Sequence, residues 1–301
     1  MAREAIRTEG LTKRFGAVTA LDGLDLEVRR GEIFGFLGPN GAGKTTAIRL
    51  LLGLMRPTAG RAWILGTPVS DVAKVHRHIG YVPGEVSVWP QLTGMEVLTY
   101  LGRLHGQVDT AYRDELIERL RLDPSVRARA YSKGNRQKVA LVAALMTRPD
   151  VLLLDEPTSG LDPLMEAEFQ TLVREAVARG QTVFLSSHLL DEVEDLCERV
   201  AILRAGRLVE VAELASLRAM STSVFEATYE GPPPELTNLP GVTSIEVNDG
   251  VLRVTVTGPP GPTLERLASA GPTRLRTHEP SLEEVFLTYY REDAAGEEAA
   301  R

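Results

Sequence analysis

Cysteine is almost absent from these 301 residues, Cys197 being the only one. One thiol makes no intrachain disulfide, so the fold must rest on its core, and a reducing compartment such as the cytoplasm fits. On an apolar helical pattern Cys197 reads as a small core filler. No run of about 18 apolar residues occurs, so the chain is not expected to cross a membrane by itself. The opening "MAREAIRTEG" has no apolar stretch, and no signal peptide is expected. A cationic surplus is also missing. Lys and Arg number 34 against 41 Asp and Glu, a net charge of -7, which argues against general nucleic-acid binding. What remains, at 43% hydrophobic and 25% charged, is the composition of an ordinary globular protein.

Buried-strand and helix signals alternate along the first two thirds. Residues 1–36 read as short strands with turns, ending in the apolar run "IFGFLG" (33–38). A glycine-rich loop follows, then a helix over 45–55 stopped by Pro57 and Gly60. Residues 92–122 read as mostly helical, with Leu116, Ile117 and Leu120 on one face, and a helix over 133–147 ends before Pro149. "VLLLDEP" (151–157) and "TVFLSS" (182–187) are further buried strands. Between them Asp162 caps a helix with Pro163 at its first position and Gly180 past its end. A short helix (189–198) and a hairpin turning at Ala205–Gly206 complete the pattern, an α/β fold with a mostly parallel sheet. Beyond about residue 220 the order becomes β, short helix or loop, β, β, α, β, with "NDG" as a hairpin turn, the order of a small split-βαβ sandwich. A last helix begins at Ser281 with Glu284 at capping-box spacing, and the acidic tail 292–301 reads as disordered.

Chemistry concentrates in "GPNGAGKTT" (38–46), which matches the phosphate-loop spacing between a buried strand and a helix. Glycines at 38, 41 and 43 let backbone N–H groups turn toward phosphate oxygens, and the helix N-terminus adds its positive end. Lys44 is expected at the β- and γ-phosphates, Thr45 on Mg²⁺, and Thr46 beside the phosphates. In "VLLLDEP", Asp155 suits Mg²⁺ held through water, and Glu156 suits a base that orients the attacking water. His188, after the next buried strand, is placed to reach the γ-phosphate.

In order and spacing, "GPNGAGKTT", "YSKGNRQKV", "LLLDEPTSGLDP" and "SSH" resemble the motifs of an ATP-binding cassette ATPase over about residues 5–215. The resemblance implies a P-loop cassette fold: a RecA-like core, an antiparallel β subdomain and a helical subdomain (about 85–148) within residues 1–220. A small α+β domain (221–291) follows. It implies ATP and Mg²⁺ as cofactors, with Gly38, Pro39, Asn40, Gly41, Ala42, Gly43, Lys44, Thr45 and Thr46 around the phosphates and Phe15 stacked on adenine. Ser159, Gly160, Leu161 and Asp162 match the loop that crosses the dimer interface. Ser132, Lys133, Gly134 and Asn135 match the signature that meets ATP held by a second cassette subunit, a homodimer being expected.

Two positions depart from the family pattern. The signature commonly reads L-S-G-G-Q, and here Lys133 stands at the first glycine, where it suits a cation acting on the partner's nucleotide. After "HIGYVP" the family often has a glutamine that senses Mg²⁺ and the attacking water, and here Gly84 and then Glu85 follow. "VSVWPQLTG" (86–94) lies where the family meets its membrane partner, and Val86, Val88 and Trp89 are expected as an apolar contact surface. A single cassette, no long coiled coil within 47–130 and an acidic net charge favour a transporter subunit over a soluble cassette ATPase working on ribosomes or nucleic acid. A P-loop kinase has no use for the "YSKGN" helix. The C-terminal "THEPSLEEVFLTYY" resembles the drug- and antibiotic-export group, including daunorubicin-resistance-type ATPases. That implies a separately encoded membrane permease and a place on the cytoplasmic face of the membrane, with closure around two ATP driving export.

Overall fold

In a computed structural model, residues 4–106, 108–219, 222–236, 239–248 and 250–278 are described. The chain divides into two units, Met1–Val211 and Ala212–Arg301. The helix expected from Ser281 and Glu284, and the tail 292–301, lie outside the described residues.

The first unit opens with two strands longer than the turn signals suggested. β1 (Glu4–Phe15) and β2 (Val18–Arg29) run 12 residues each, pairing antiparallel with Phe15 opposite Val18. Bulges along the pair absorb the glycines and polar residues that resembled separate turns. β3 (Ile33–Leu37), buried at every residue, leads through the glycine-rich loop into α1 (Lys44–Leu51). That helix stops at Leu51, four residues short of the expected Met55. Leu52 is its cap, and Gly53 takes a left-handed conformation (φ 66°) before Pro57 is reached. β4 (Ala59–Ile64), β5 (Thr67–Pro68) and α2 (Val72–Val75) follow, then β6 (Ile79–Val82).

The region expected to be mostly helical holds two helices, α3 (Gly94–His105) and α4 (Thr110–Arg119). Thr93 and Glu96 form a reciprocal capping box at α3, and Asp109 caps α4. α5 (Lys133–Leu145) and β7 (Val151–Asp155) come next. α6 (Pro163–Ala178) is capped by the Asp162 carboxylate, which accepts from the amides of Leu164 and Met165. β8 (Thr182–Ser187), α7 (Leu190–Leu196) and β9 (Arg199–Arg204) follow, and β10 (Arg207–Glu213) carries the chain past the unit boundary at Val211.

Two sheets result, ordered β2-β1-β4-β5 and β10-β9-β3-β8-β7-β6. Pairings of β3 with β8 and β9, and of β7 with β6 and β8, are parallel. Every residue of β3, β7 and β8 is buried, as in parallel strands covered on both faces. Phe34 stacks on Phe184 and Phe36 tilts against it within a core shared with β1, β2 and α1, while Cys197 is buried where α7 meets β3. Three neighbouring parallel strands, β3, β8 and β7, thus end along one sheet edge, and each is followed by a chemically charged segment.

The second unit holds α8 (Leu214–Ala219), β11 (Thr222–Thr228), β12 (Val242–Asn248), β13 (Val251–Thr257), α9 (Gly261–Ser269) and β14 (Arg274–His278). Its sheet is antiparallel with order β12-β13-β11-β14, the split-βαβ order with an irregular segment between β11 and β12. Phe225, Val254, Val256, Leu236 and Leu267 form its core.

Candidate functional site

The loop from Gly38 to Gly43 leaves β3 and delivers α1 with no side-chain cap, since Gly43 is the N-cap (φ 110°). Only glycine is at ease there: a Cβ would strike the Ala20 carbonyl oxygen and the backbone is left-handed. Lys44 is 5% exposed. Its ammonium folds back onto the carbonyls of Gly38 (2.5 Å) and Pro39 (3.3 Å). Burial pushes its pKa below the usual lysine value, and the charges of Glu156 and Asp155 pull the other way. A cavity of about 160 Å³ is lined by Pro39–Gly41, Gly43–Thr46, Ala20 and Glu156. Gly38 and Ala42 support it from behind: Gly38 holds Lys44 through its carbonyl, and Ala42 is buried.

Asp155 ends β7, 2% exposed, with Oδ1 accepting from the Ser186 hydroxyl of β8 at 2.5 Å. A Cβ at Gly84 would rest 3.6 Å from Asp155 Oδ2, so position 84 faces this carboxylate but brings no side chain to it. Glu85 is exposed. Nearby, burial and then Asp155 push the Tyr81 hydroxyl up to about 12. The chain turns out of the sheet at Glu156, which carries a left-handed φ of 48°, unusual for a residue with a Cβ. His188 Nδ1 lies 3.1 Å from Glu156 Oε1, so the side chains that follow β7 and β8 meet, and Glu156 lines the cavity.

The donors suit nucleotide and Mg²⁺. A buried cation and an uncapped helix start face the space where phosphate fits, and the oxygen donors that would hold a metal are one hydroxyl, Thr45, and one carboxylate, Asp155. Among the described residues no cluster of three or more His, Cys, Asp or Glu side chains stands ready to hold a metal.

Other expected residues lie apart from this cavity. Ser132 caps α5, its hydroxyl accepting from the Asn135 amide at 3.2 Å, and both Ser132 and Lys133 are exposed. The Lys133 ammonium donates to Ser159 Oγ of the same chain at 2.6 Å, while the side chain stays exposed. Gly134 packs on the Gly160 carbonyl, and Leu161 and Asp162 lead into α6. Phe15 is 48% exposed with Lys13 Nζ 5.1 Å above its ring. Trp89 is exposed and meets the exposed Tyr100 edge-on at 5.1 Å, while Val86 and Val88 are half-buried. A groove of about 450 Å³ is lined by Leu52, Leu54, Tyr81 and, from the same helix as Tyr100, Leu101, Leu104 and His105, among others.

Sequence reasoning missed three contributors. Ala20 lines the cavity and crowds Gly43 through its backbone, which leaves no trace in residue type. Val18, exposed opposite Phe15, extends its apolar face. Glu192 on α7 is buried, its Oε2 accepting from Ser187 Oγ at 2.6 Å, and burial raises its pKa while the hydrogen bond from Ser187 pulls the other way. Its position four residues after His188 was the available signal.

A family profile described as ABC transporter matches residues 21–159. Over 317 aligned residues, spanning all of both chains, the sequence is 38% identical to a daunorubicin resistance ATP-binding protein of Streptomyces coeruleorubidus. It is 36% identical to the Nod factor export ATP-binding protein I of Rhizobium sp. (strain N33), covering 95% of this chain and 97% of that one. A solved ATP-binding subunit of an ABC transporter superposes with TM-score 0.67 at 31% identity, over 71% of this chain and 92% of the other. A dimeric ATP-binding cassette captured after hydrolysis shares the fold at TM-score 0.64 and 24% identity, over 69% and 98%.

Proposed function

The chain belongs to the ATP-binding cassette transporter ATPases, and from that premise we propose that two copies close around two ATP molecules to drive a separately encoded membrane permease. One observation carries the dimer: the cavity holding Lys44 and Glu156 is lined by no residue of the signature turn 132–135. A nucleotide site that needs both must take its signature from a second copy.

In this reading the backbone of 38–43 and Lys44 bind the β- and γ-phosphates, with Thr46 beside them, and Phe15 with Val18 covers the adenine. Thr45 and Asp155 would hold Mg²⁺, which supplies neutralising charge at the phosphate oxygens. Glu156 accepts a proton from the attacking water, and His188, hydrogen-bonding distance away, orients that carboxylate and reaches the γ-phosphate. Ser132 and Gly134 of the partner complete the site, and Ser159–Asp162 cross the interface. Closure shifts a two-state equilibrium of the permease, and hydrolysis resets it. No helix among the described residues is long and apolar enough to cross a membrane. The exposed Trp89 and Tyr100 and the groove that α3 lines suit the permease contact at the cytoplasmic membrane face. The cargo is a drug, antibiotic or other hydrophobic compound moved outward, supported by relatives named for daunorubicin resistance and Nod factor export.

Complementation between two inactive variants tests this. Glu156→Gln removes the base but keeps the signature, and Ser132→Arg blocks the signature but keeps the base. Each alone should hydrolyse ATP poorly. Mixed, they form heterodimers with one intact site, and turnover should exceed the sum of the two. A mixture no better than its parts, with heterodimers present by light scattering, would refute the shared site.

A further inference from the structure

The signature turn and the loop after Glu156 are stitched together within one chain. Lys133 Nζ donates to Ser159 Oγ at 2.6 Å, and its methylenes lie over Gly160. The backbone at Gly134 presses so closely on the Gly160 carbonyl that any Cβ there would collide with it. Deeper in, Gln137 Nε2 donates to the Pro157 carbonyl at 2.8 Å in a buried bond. The loop itself is tight: the Ser159 amide donates to Glu156 O (3.2 Å), the Leu161 amide to Thr158 O (2.9 Å), and Asp162 then caps α6. From Ser132 to Glu156 there is therefore a continuous path of short contacts.

We infer that Lys133 is a positioning residue that ties the signature turn to the loop carrying Glu156, making one rigid piece of the parts that serve two different nucleotides. The inference rests on the reading of Ser132 and Glu156 given above. A glycine at 133 could form neither the ammonium bond nor the cover over Gly160. With its donor on Ser159, the lysine acts on its own chain's geometry, and its effect on the partner's nucleotide is indirect. Gln137 and Gly134 hold the rear of the junction, and Lys133 clamps its exposed front, where ordering by a charged hydrogen bond matters most.

The test uses Lys133→Met, which keeps the methylenes, Lys133→Arg, which keeps a donor, Ser159→Ala, and the Met/Ala double variant. Lys133→Met and Ser159→Ala should each lower kcat about fivefold with KM for ATP unchanged, the loss of roughly one hydrogen bond. The double variant should be no worse than either single one, and Lys133→Arg should restore most of the rate. Hydrogen exchange provides a readout without nucleotide: the amides of Ser159 and Leu161 should exchange faster in Lys133→Met and normally in Lys133→Arg. Unchanged exchange, or additive losses in the double variant, would overturn the inference, as would a raised ATP requirement for dimerisation of Glu156→Gln when Lys133→Met is added. Failure of the Ser132 and Glu156 reading shows separately, because those variants would then retain wild-type turnover while the exchange result stands.

Discussion

Lys44 opens α1 buried, its ammonium folded onto two main-chain carbonyls, whereas Lys133 opens α5 exposed, its ammonium on a serine hydroxyl. The helix starts differ in the same sense. α1 begins at a glycine that offers no side chain to its first amides, while Ser132 caps α5 itself. One turn keeps its donors for a ligand and stores its cation in a desolvated place, where a charge interacts strongly with an arriving phosphate. The other satisfies itself within the chain, as suits a surface prearranged for the second copy proposed above. A lysine beside a glycine-rich helix start is therefore not enough to mark a phosphate site. Burial and the fate of the cap decide it.

The sharpest way to break this contrast is Lys44→Ala measured against Lys133→Ala in the monomer. Removing a charged hydrogen-bond donor from a buried site should weaken ATP binding by about 10- to 100-fold at position 44. At position 133 monomer affinity should not change. Equal losses, read by calorimetric titration, would mean that both lysines face the same nucleotide.

A smaller effect is expected at Gly84. A side chain fits there, since a Cβ would make only ordinary contact with Asp155. Gly84→Gln should lower the Mg²⁺ concentration needed for half-maximal ATPase activity, and leave stability within about 0.5 kcal/mol. An unchanged Mg²⁺ profile would show that position 84 takes no part in holding the ion.

The smallest effect belongs to Glu192, which sits behind His188 and Ser187 on the Lys44 side of the comparison. Burial raises its carboxyl above the ordinary 4.5, so the folded protein binds this proton more tightly than the unfolded chain. Stability from this group therefore falls as pH rises from 4.5 through the raised value, and stays low above it. Glu192→Gln keeps the acceptor for Ser187 and removes the titration. Its melting temperature relative to wild type should be higher at pH 7.5 than at pH 5. A difference independent of pH would mean that the carboxyl titrates normally.

Much of this was legible because short-range chemistry dictates it. The phosphate loop needs its glycines and lysine within nine residues, and the Asp162 and Ser132 caps follow from side-chain type at a helix start. Helix ends inside apolar runs were not legible: "RLLLGLM" continues a helical pattern to the eye, yet the chain turns at Gly53. The strand order β3-β8-β7, which brings Lys44 and Glu156 to one cavity and His188 against Glu156, is a long-range property that periodicity does not encode. The Lys133–Ser159 bond joins residues 26 apart and was invisible for the same reason. The sequence showed Lys133 only as a cation suited to the partner's nucleotide and gave no sign of its own-chain acceptor.

Cys197 is the chain's only thiol, 6% exposed and held in its neutral form by burial among apolar neighbours. Alkylating probes react with thiolates, so the native protein presents a silent background to them. A cysteine placed at an exposed position outside the nucleotide and permease surfaces, such as Val247, becomes the single reactive handle. Fluorophores or spin labels attached there can follow the two copies approaching and separating through the ATP cycle, without first engineering a cysteine-free chain.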